Sequence, residues 1–221
     1  MPKYHRIVDI FYFFIRKVLG PFFRLLWIKE ITGINNIPRE GPVIIALNHE
    51  SYFDFLCFVA ISPRNIHFLA AEKFFEKRLW NALMKITGQI RVDRTDKDKR
   101  KVHNLVFLHL QHKKAIGIFP EGTRAPDKEN LLKGYPGIVR YAFKQKVPII
   151  PVGIIGTFDI MSREDYRPAF KKIVRINIGS PISFDNYYHI KLNQKAYRFF
   201  THELMQEISR LSRKKYPYEF K

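Results

Sequence analysis

The sequence holds one cysteine, Cys57, in 221 residues. A single thiol excludes a disulfide-stapled scaffold and zinc sites built on paired cysteines, and it is compatible with a reducing compartment. Acidic residues are scarce: 20 Asp and Glu stand against 39 Lys and Arg, for a net charge of +19. That imbalance calls for an anionic partner, whether nucleic acid, an anionic membrane surface or an acidic small molecule. Long apolar runs are missing too. Arg16, Lys17 and Arg24 interrupt the N-terminal stretch well short of the roughly 18 residues a spanning helix needs. It also lacks a small-residue cleavage site after a clean apolar run, so a removed signal peptide is not expected. There are no internal repeats, low-complexity tracts or linkers. Whole-chain disorder is excluded, because the charge accompanies 46% apolar and 15% aromatic residues, enough for one sizeable core.

What is present begins with an unusual segment, Tyr4 to Ile28, rich in Phe, Ile, Leu and Val. At helical spacing, Arg6, Asp9, Arg16, Lys17 and Arg24 fall within an arc of about 100°, and the remaining surface is apolar. So wide an apolar face suits a helix lying in a membrane interface better than one packed on a single partner. Pro21 is expected to kink or split it. Residues 1–30 are therefore read as amphipathic membrane-anchoring helices and residues 31–221 as one further domain.

The remainder alternates. Strands are expected at 42–47, 66–70, 115–119, 148–155 and 173–178, with a short one within 88–94. Helices are expected at 51–61, 75–86, 96–112 (capped by Thr95), 135–144 and 191–213. This order predicts an α/β fold: a single layered domain with a mostly parallel mixed sheet flanked by helices.

Two constellations follow buried strands. The first is Asn48-His49-Glu50-Ser51-Tyr52-Phe53-Asp54. On a regular helix His49 and Asp54 would lie about 140° apart. They meet only if His49 sits on the strand-end loop and Asp54 in the first helical turn. Such a pair suits a base and the carboxylate that orients it, while Ser51-x-x-Asp54 equally fits a helix capping box. The second is Phe119-Pro120-Glu121-Gly122-Thr123-Arg124. Pro-Glu-Gly turns sharply, and backbone N–H groups with a guanidinium can cradle a phosphate; an ordinary turn has the same residues. Gly117 to Gly122 has P-loop spacing, but Thr123-Arg124 replaces Lys-Ser/Thr, which argues against nucleoside triphosphates. Lys133-Gly134 opens a helix and can add a positive group near an anion.

Together with Gly88 to Arg94 and Val147 to Val152, in this order, these motifs resemble those of the glycerolipid acyltransferase family, of the lysophosphatidic acid acyltransferase type. The first block resembles its NHxxxxD motif and the second its FPEGTR motif; the resemblance covers about residues 40–155. The chain departs from the family in having Ala70-Ala71-Glu72 before Lys73, where a basic residue often comes earlier. The resemblance implies that His49 is the general base and Asp54 its orienting acid. It implies that Glu121, Gly122, Thr123 and Arg124 form the acceptor-binding loop, and that Arg94 joins Arg124 on the phosphate. The implied reaction moves an acyl group from acyl-CoA or acyl carrier protein to the sn-2 hydroxyl of lysophosphatidic acid, giving phosphatidic acid. Neither metal nor bound cofactor is implied, and the expected setting is monotopic, on the cytoplasmic face of an anionic membrane. Glycerol 3-phosphate or another lyso-lipid is the alternative acceptor. Nucleic acid is not expected as a partner, since Lys and Arg are dispersed and the runs 97–101 and 213–215 read as solvated faces. A zinc hydrolase using His103, His109 and His112 is not expected either, because His103 lies off the face shared by the other two.

Overall fold

The computed structural model describes residues 2–76, 78–93 and 98–220. Seven strands run β1 (Ile28–Thr32), β2 (Val43–Leu47), β3 (Ile66–Ala71), β4 (Ile90–Val92), β5 (Ala115–Ile118), β6 (Ile149–Ile155) and β7 (Val174–Ile178). The α-helices are α1 (Pro2–Phe14), α2 (Gly20–Leu26), α3 (Tyr52–Ile61), α4 (Lys73–Glu76), α5 (Arg78–Ile86), α6 (Arg100–Gln111), α7 (Gly137–Gln145) and α8 (Gln194–Ser212). The strands form one sheet in the order β1-β7-β6-β2-β5-β3-β4. Every neighbouring pair is parallel except β6 with β7.

The central strand β2 is buried along its whole length, as a strand covered on both faces must be. Its alternate residues enter different cores. Val43, Ile45 and Leu47 pack with residues of α1 and α3. Ile44 and Ala46 pack with residues of α6, α7 and α8. Gly153 on β6 lets α8 come close, since a Cβ there would stand 2.2 Å from the Leu211 backbone.

This topology places the site. From β2 the chain passes through α3 to β3, beyond β5. From β5 it passes through α7 to β6, beyond β2. The two connections leave adjacent parallel strands in opposite directions and on opposite faces. Such a switch point opens a crevice at the carboxyl ends of the strands, where α/β sheets bind ligands. His49 and Phe119 stand at that crevice.

The N-terminal segment is helical, but its wide apolar arc is divided. Val8, Tyr12 and Ile15 enter the core, whereas Ile7, Ile10, Phe13, Phe14, Val18, Phe22 and Leu25 remain exposed, Leu25 at 67%. The Tyr12 hydroxyl donates to the Ile66 carbonyl and accepts from Gln89 Nε2 at 3.2 Å; burial pushes its pKa up to about 12. Part of the charged stripe also faces protein: Asn65 donates to Asp9 at 2.6 Å and accepts from Arg16 at 2.8 Å. The expected break is one π-helical turn, Ile15–Leu19, just before Pro21. Pro21 follows that turn as the second residue of α2. No helix among the described residues is long and apolar enough to cross a membrane.

Two expectations are corrected. The segment is not helical to residue 30, because Ile28 begins β1, which pairs with β7 and buries Ile28. The basic run 213–215 is a solvated face only in part: Arg213, whose left-handed conformation (φ 56°) ends α8, and Lys215 are exposed, but Lys214 turns inward. Arg94, the Thr95 cap and the first residues of the helix expected from Asp96 lie outside the described residues.

Candidate active site

Ser51 starts α3. Its Oγ accepts from Phe53 N–H at 3.1 Å, while Asp54 accepts from Ser51 N–H at 2.9 Å. The capping box therefore forms, yet the same Asp54 Oδ2 lies 2.8 Å from His49 Nδ1 and 2.8 Å from Glu50 N. The capping box and the His49–Asp54 contact coexist. The helix start fixes the carboxylate, and the fixed carboxylate fixes the imidazole. Asp54 is completely buried, and Thr157 Oγ1 occupies its other oxygen. Oδ2 thus accepts from two backbone N–H groups while it faces the imidazole. With Nδ1 committed to Asp54, Nε2 is the nitrogen left to take a proton. The His49 ring stacks on Phe119 at 3.9 Å between centroids, which joins the ends of β2 and β5.

Glu121 makes the second connection. Its Oε1 accepts from His49 N–H and its Oε2 from Leu132 N–H, each at 2.7 Å. Burial pushes its pKa up to about 7, against the lowering effect of those two backbone donors. Both oxygens are thus engaged by backbone in a buried position. Glu121 braces the loop from within, while Gly122 and Thr123 are exposed on it. Gly122 adopts φ +69°, a left-handed conformation that favours glycine. The Ala125 N–H donates to the His49 carbonyl at 2.7 Å, which ties the Arg124 loop to the His49 loop by backbone.

The Arg124 guanidinium stacks 3.9 Å above the Tyr52 ring. Lys73 Nζ lies 6.0 Å from the same ring and 5.5 Å from Phe74. The geometry thus sets a second cation near the Tyr52 ring, although Lys73 arrives later than the family pattern places its basic residue. Lys133 is exposed, beyond the Leu132 anchor of Glu121.

Sequence reasoning missed three buried side chains behind the dyad. Glu50 Oε1 lies 2.8 Å from Thr157 Oγ1 and accepts from Phe158 N at 3.2 Å. Lys214 Nζ lies 2.5 Å from Glu50 Oε2. Glu50 sits inside the His49 motif and was available to be noticed. Thr157 and Lys214 carry no local signal, since only the fold brings them there. Elsewhere, His103 Nδ1 meets the Tyr141 hydroxyl at 2.6 Å, and no group of three or more His, Cys, Asp or Glu that could hold a metal ion occurs among the described residues.

Comparison with known proteins agrees with the fold. The family model described as Acyltransferase matches residues 29–155. The 1-acyl-sn-glycerol-3-phosphate acyltransferase of Bacillus subtilis is 26% identical over 186 residues, covering 84% of this chain and 88% of that protein. The Helicobacter pylori protein of the same name is 28% identical over 187 residues, covering 79% and 78%. The crystal structure of the 1-acyl-sn-glycerophosphate (LPA) acyltransferase PlsC from Thermotoga maritima superposes with a TM-score of 0.68 at 21% identity, over 86% of this chain and 74% of that one.

Proposed function

Since the chain belongs to the acyltransferase family, we propose that it transfers a fatty acyl group from an acyl thioester to the sn-2 hydroxyl of lysophosphatidic acid, giving phosphatidic acid. The observation that carries this reading is the His49–Asp54 contact of 2.8 Å beside a paired cation site, Arg124 and Lys73 around Tyr52. The names of the Bacillus and Helicobacter relatives support the same acceptor.

In this mechanism the acceptor phosphate is held by Arg124, with Lys73 beside it and Arg94 as a further expected ligand. Arginine offers two donors to two phosphate oxygens, and the Tyr52 ring holds its plane. His49 Nε2 takes the proton from the sn-2 hydroxyl as its oxygen attacks the thioester carbonyl. The carbon–sulfur bond breaks, and the thiolate leaves with the proton carried by the imidazolium. Asp54 stabilises that imidazolium. Acyl-CoA and acyl carrier protein are both donors of the required chemistry.

The exposed row Ile10, Phe14, Val18, Phe22 and Leu25 gives the protein a face for a bilayer, and Leu79 and Trp80 on α5 are also exposed. Phe22 and the exposed Phe170 both pack on Trp27, which extends that face toward Lys171 and Lys172. Anionic lipid attracts each Lys or Arg near its surface by about 1 kcal/mol.

The test is thiol release from acyl-CoA by the purified protein, with and without lysophosphatidic acid, beside His49→Ala. Acceptor-dependent release that falls about 100-fold or more in a folded variant is expected. Release that ignores the acceptor, or survives the substitution, would overturn the reading. A preference for glycerol 3-phosphate or a lyso-lipid without phosphate would reassign the acceptor.

A further inference from the structure

The proton transfer above leaves Glu50 and Lys214 without a part, although both are buried. Lys214 follows α8, and its ammonium reaches two loops at once. It lies 2.5 Å from Glu50 Oε2, beside His49, and donates to the Lys128 carbonyl in the loop that continues from Arg124. Thr157 Oγ1 touches both Glu50 Oε1, at 2.8 Å, and Asp54 Oδ1. A hydroxyl carries one hydrogen and can donate to only one of two carboxylates. The cluster therefore avoids repulsion between acceptors only when one carboxyl carries a proton. Asp54 Oδ2 already meets His49 Nδ1 and the Glu50 and Ser51 N–H groups. The proton belongs on Glu50, whose acidity burial weakens, followed by the nearby Asp54 charge, with Lys214 and Thr157 opposing. Glu50 then donates to Thr157, and Thr157 donates to Asp54. One cation, Lys214, and one anion, Asp54, remain, joined through neutral groups.

We propose that Lys214, Glu50 and Thr157 are positioning residues for acyl transfer: their hydrogen-bonded chain fixes the ionised Asp54 behind His49. This rests on the reading of His49 as the base. Glu121 and Cys57 also lie within the field of Asp54, and Asp127 within that of Lys214. Neither Glu121 nor Asp127 bonds to a member of the chain; Glu121 is held by the His49 and Leu132 N–H groups, and Asp127 by the Glu129 and Asn130 N–H groups.

The experiment uses the full chain with steady-state thiol release against pH. Thr157→Val keeps the shape and removes the hydroxyl, and Thr157→Ser restores it. Thr157→Val is expected to lower kcat at least about tenfold with KM for both substrates within about twofold. It is also expected to move the acidic limb of the kcat profile upward, because an Asp54 relieved of one donor holds the imidazolium more tightly. Serine should recover most of the loss. Glutamine at position 50 can donate to Thr157 and accept from Lys214, losing only the 3.2 Å contact from Phe158 N–H, so Glu50→Gln should recover much of what Glu50→Leu loses. Wild-type kcat and pH profile in Thr157→Val, while His49→Ala is inactive, would overturn the chain and leave the base standing. An active His49→Ala would overturn both. Equal losses in the Val and Ser variants, or in the Leu and Gln variants, would reduce the cluster to packing and also overturn it. Should Thr157→Val fail to fold, the Glu50 pair decides alone.

Discussion

Replacing Glu121 by glutamine separates a brace from a ligand. The wild-type carboxylate accepts His49 N–H and Leu132 N–H. A glutamine can accept only one of these and turns its amide donor toward the other, a loss of about 1–3 kcal/mol. That part is independent of pH. The second part is not. Burial raises the Glu121 pKa from 4.5 to about 7, so between those values the folded chain keeps a proton that the unfolded chain has released. Stability through this group is therefore highest at low pH and falls as pH rises through the window. At about 1.36 kcal/mol per unit, the wild type should lose about 2–3 kcal/mol relative to Glu121→Gln between pH 5 and pH 8. Urea titrations of both proteins at several pH values measure this, and taking their difference cancels groups common to both. A difference that stays flat, or widens in favour of the wild type as pH rises, would refute the reasoning.

Two other predictions concern the surface of the site and of the N-terminal helices. Arg124→Met should raise KM for lysophosphatidic acid by about ten- to 100-fold, from the loss of a charged hydrogen-bond donor, with little change in KM for acyl-CoA; an equal rise for both substrates would remove Arg124 from the acceptor phosphate. Phe22→Ser with Leu25→Ser should sharply reduce pelleting with vesicles containing anionic lipid, since each side chain is worth about 1.5–3 kcal/mol in an apolar environment, while thermal stability changes little because both residues are exposed; unchanged pelleting would refute the membrane face.

Much of the scaffold was legible because its signals are local. The apolar runs at 43–47, 115–118 and 149–155 are strands, and the strand–helix alternation predicted a mostly parallel sheet. The pairing of His49 with Asp54 was legible too, since five residues spanning a strand end and a helix start have few arrangements. β1 was not. Ile28–Thr32 follows a helical run without a clear break, and its partner, β7, begins at Val174. Lys214 was hidden for the opposite reason. Basic runs usually face water, and only the packing of α8 against β6 and the Glu50 carboxyl turn this lysine inward. Glu121 looked like a ligand because it stands in a ligand-like motif. Its two backbone partners, one 72 and one 11 positions away, make its buried carboxyl a brace between the His49 loop and its own.

The reach of Lys214 also bears on the order in which the protein becomes a working object. Synthesis runs from the N-terminus, so the histidine, the aspartate and the arginine loop leave the ribosome long before residue 214. Until that residue arrives, both Glu50 Oε2 and the Lys128 carbonyl lack the Lys214 ammonium. The edge strand β1 waits in the same way for Val174. A nascent chain thus carries His49, Asp54 and Arg124 early and completes their surroundings late, with the final turn of α8 and the lysine beyond it setting the moment of assembly.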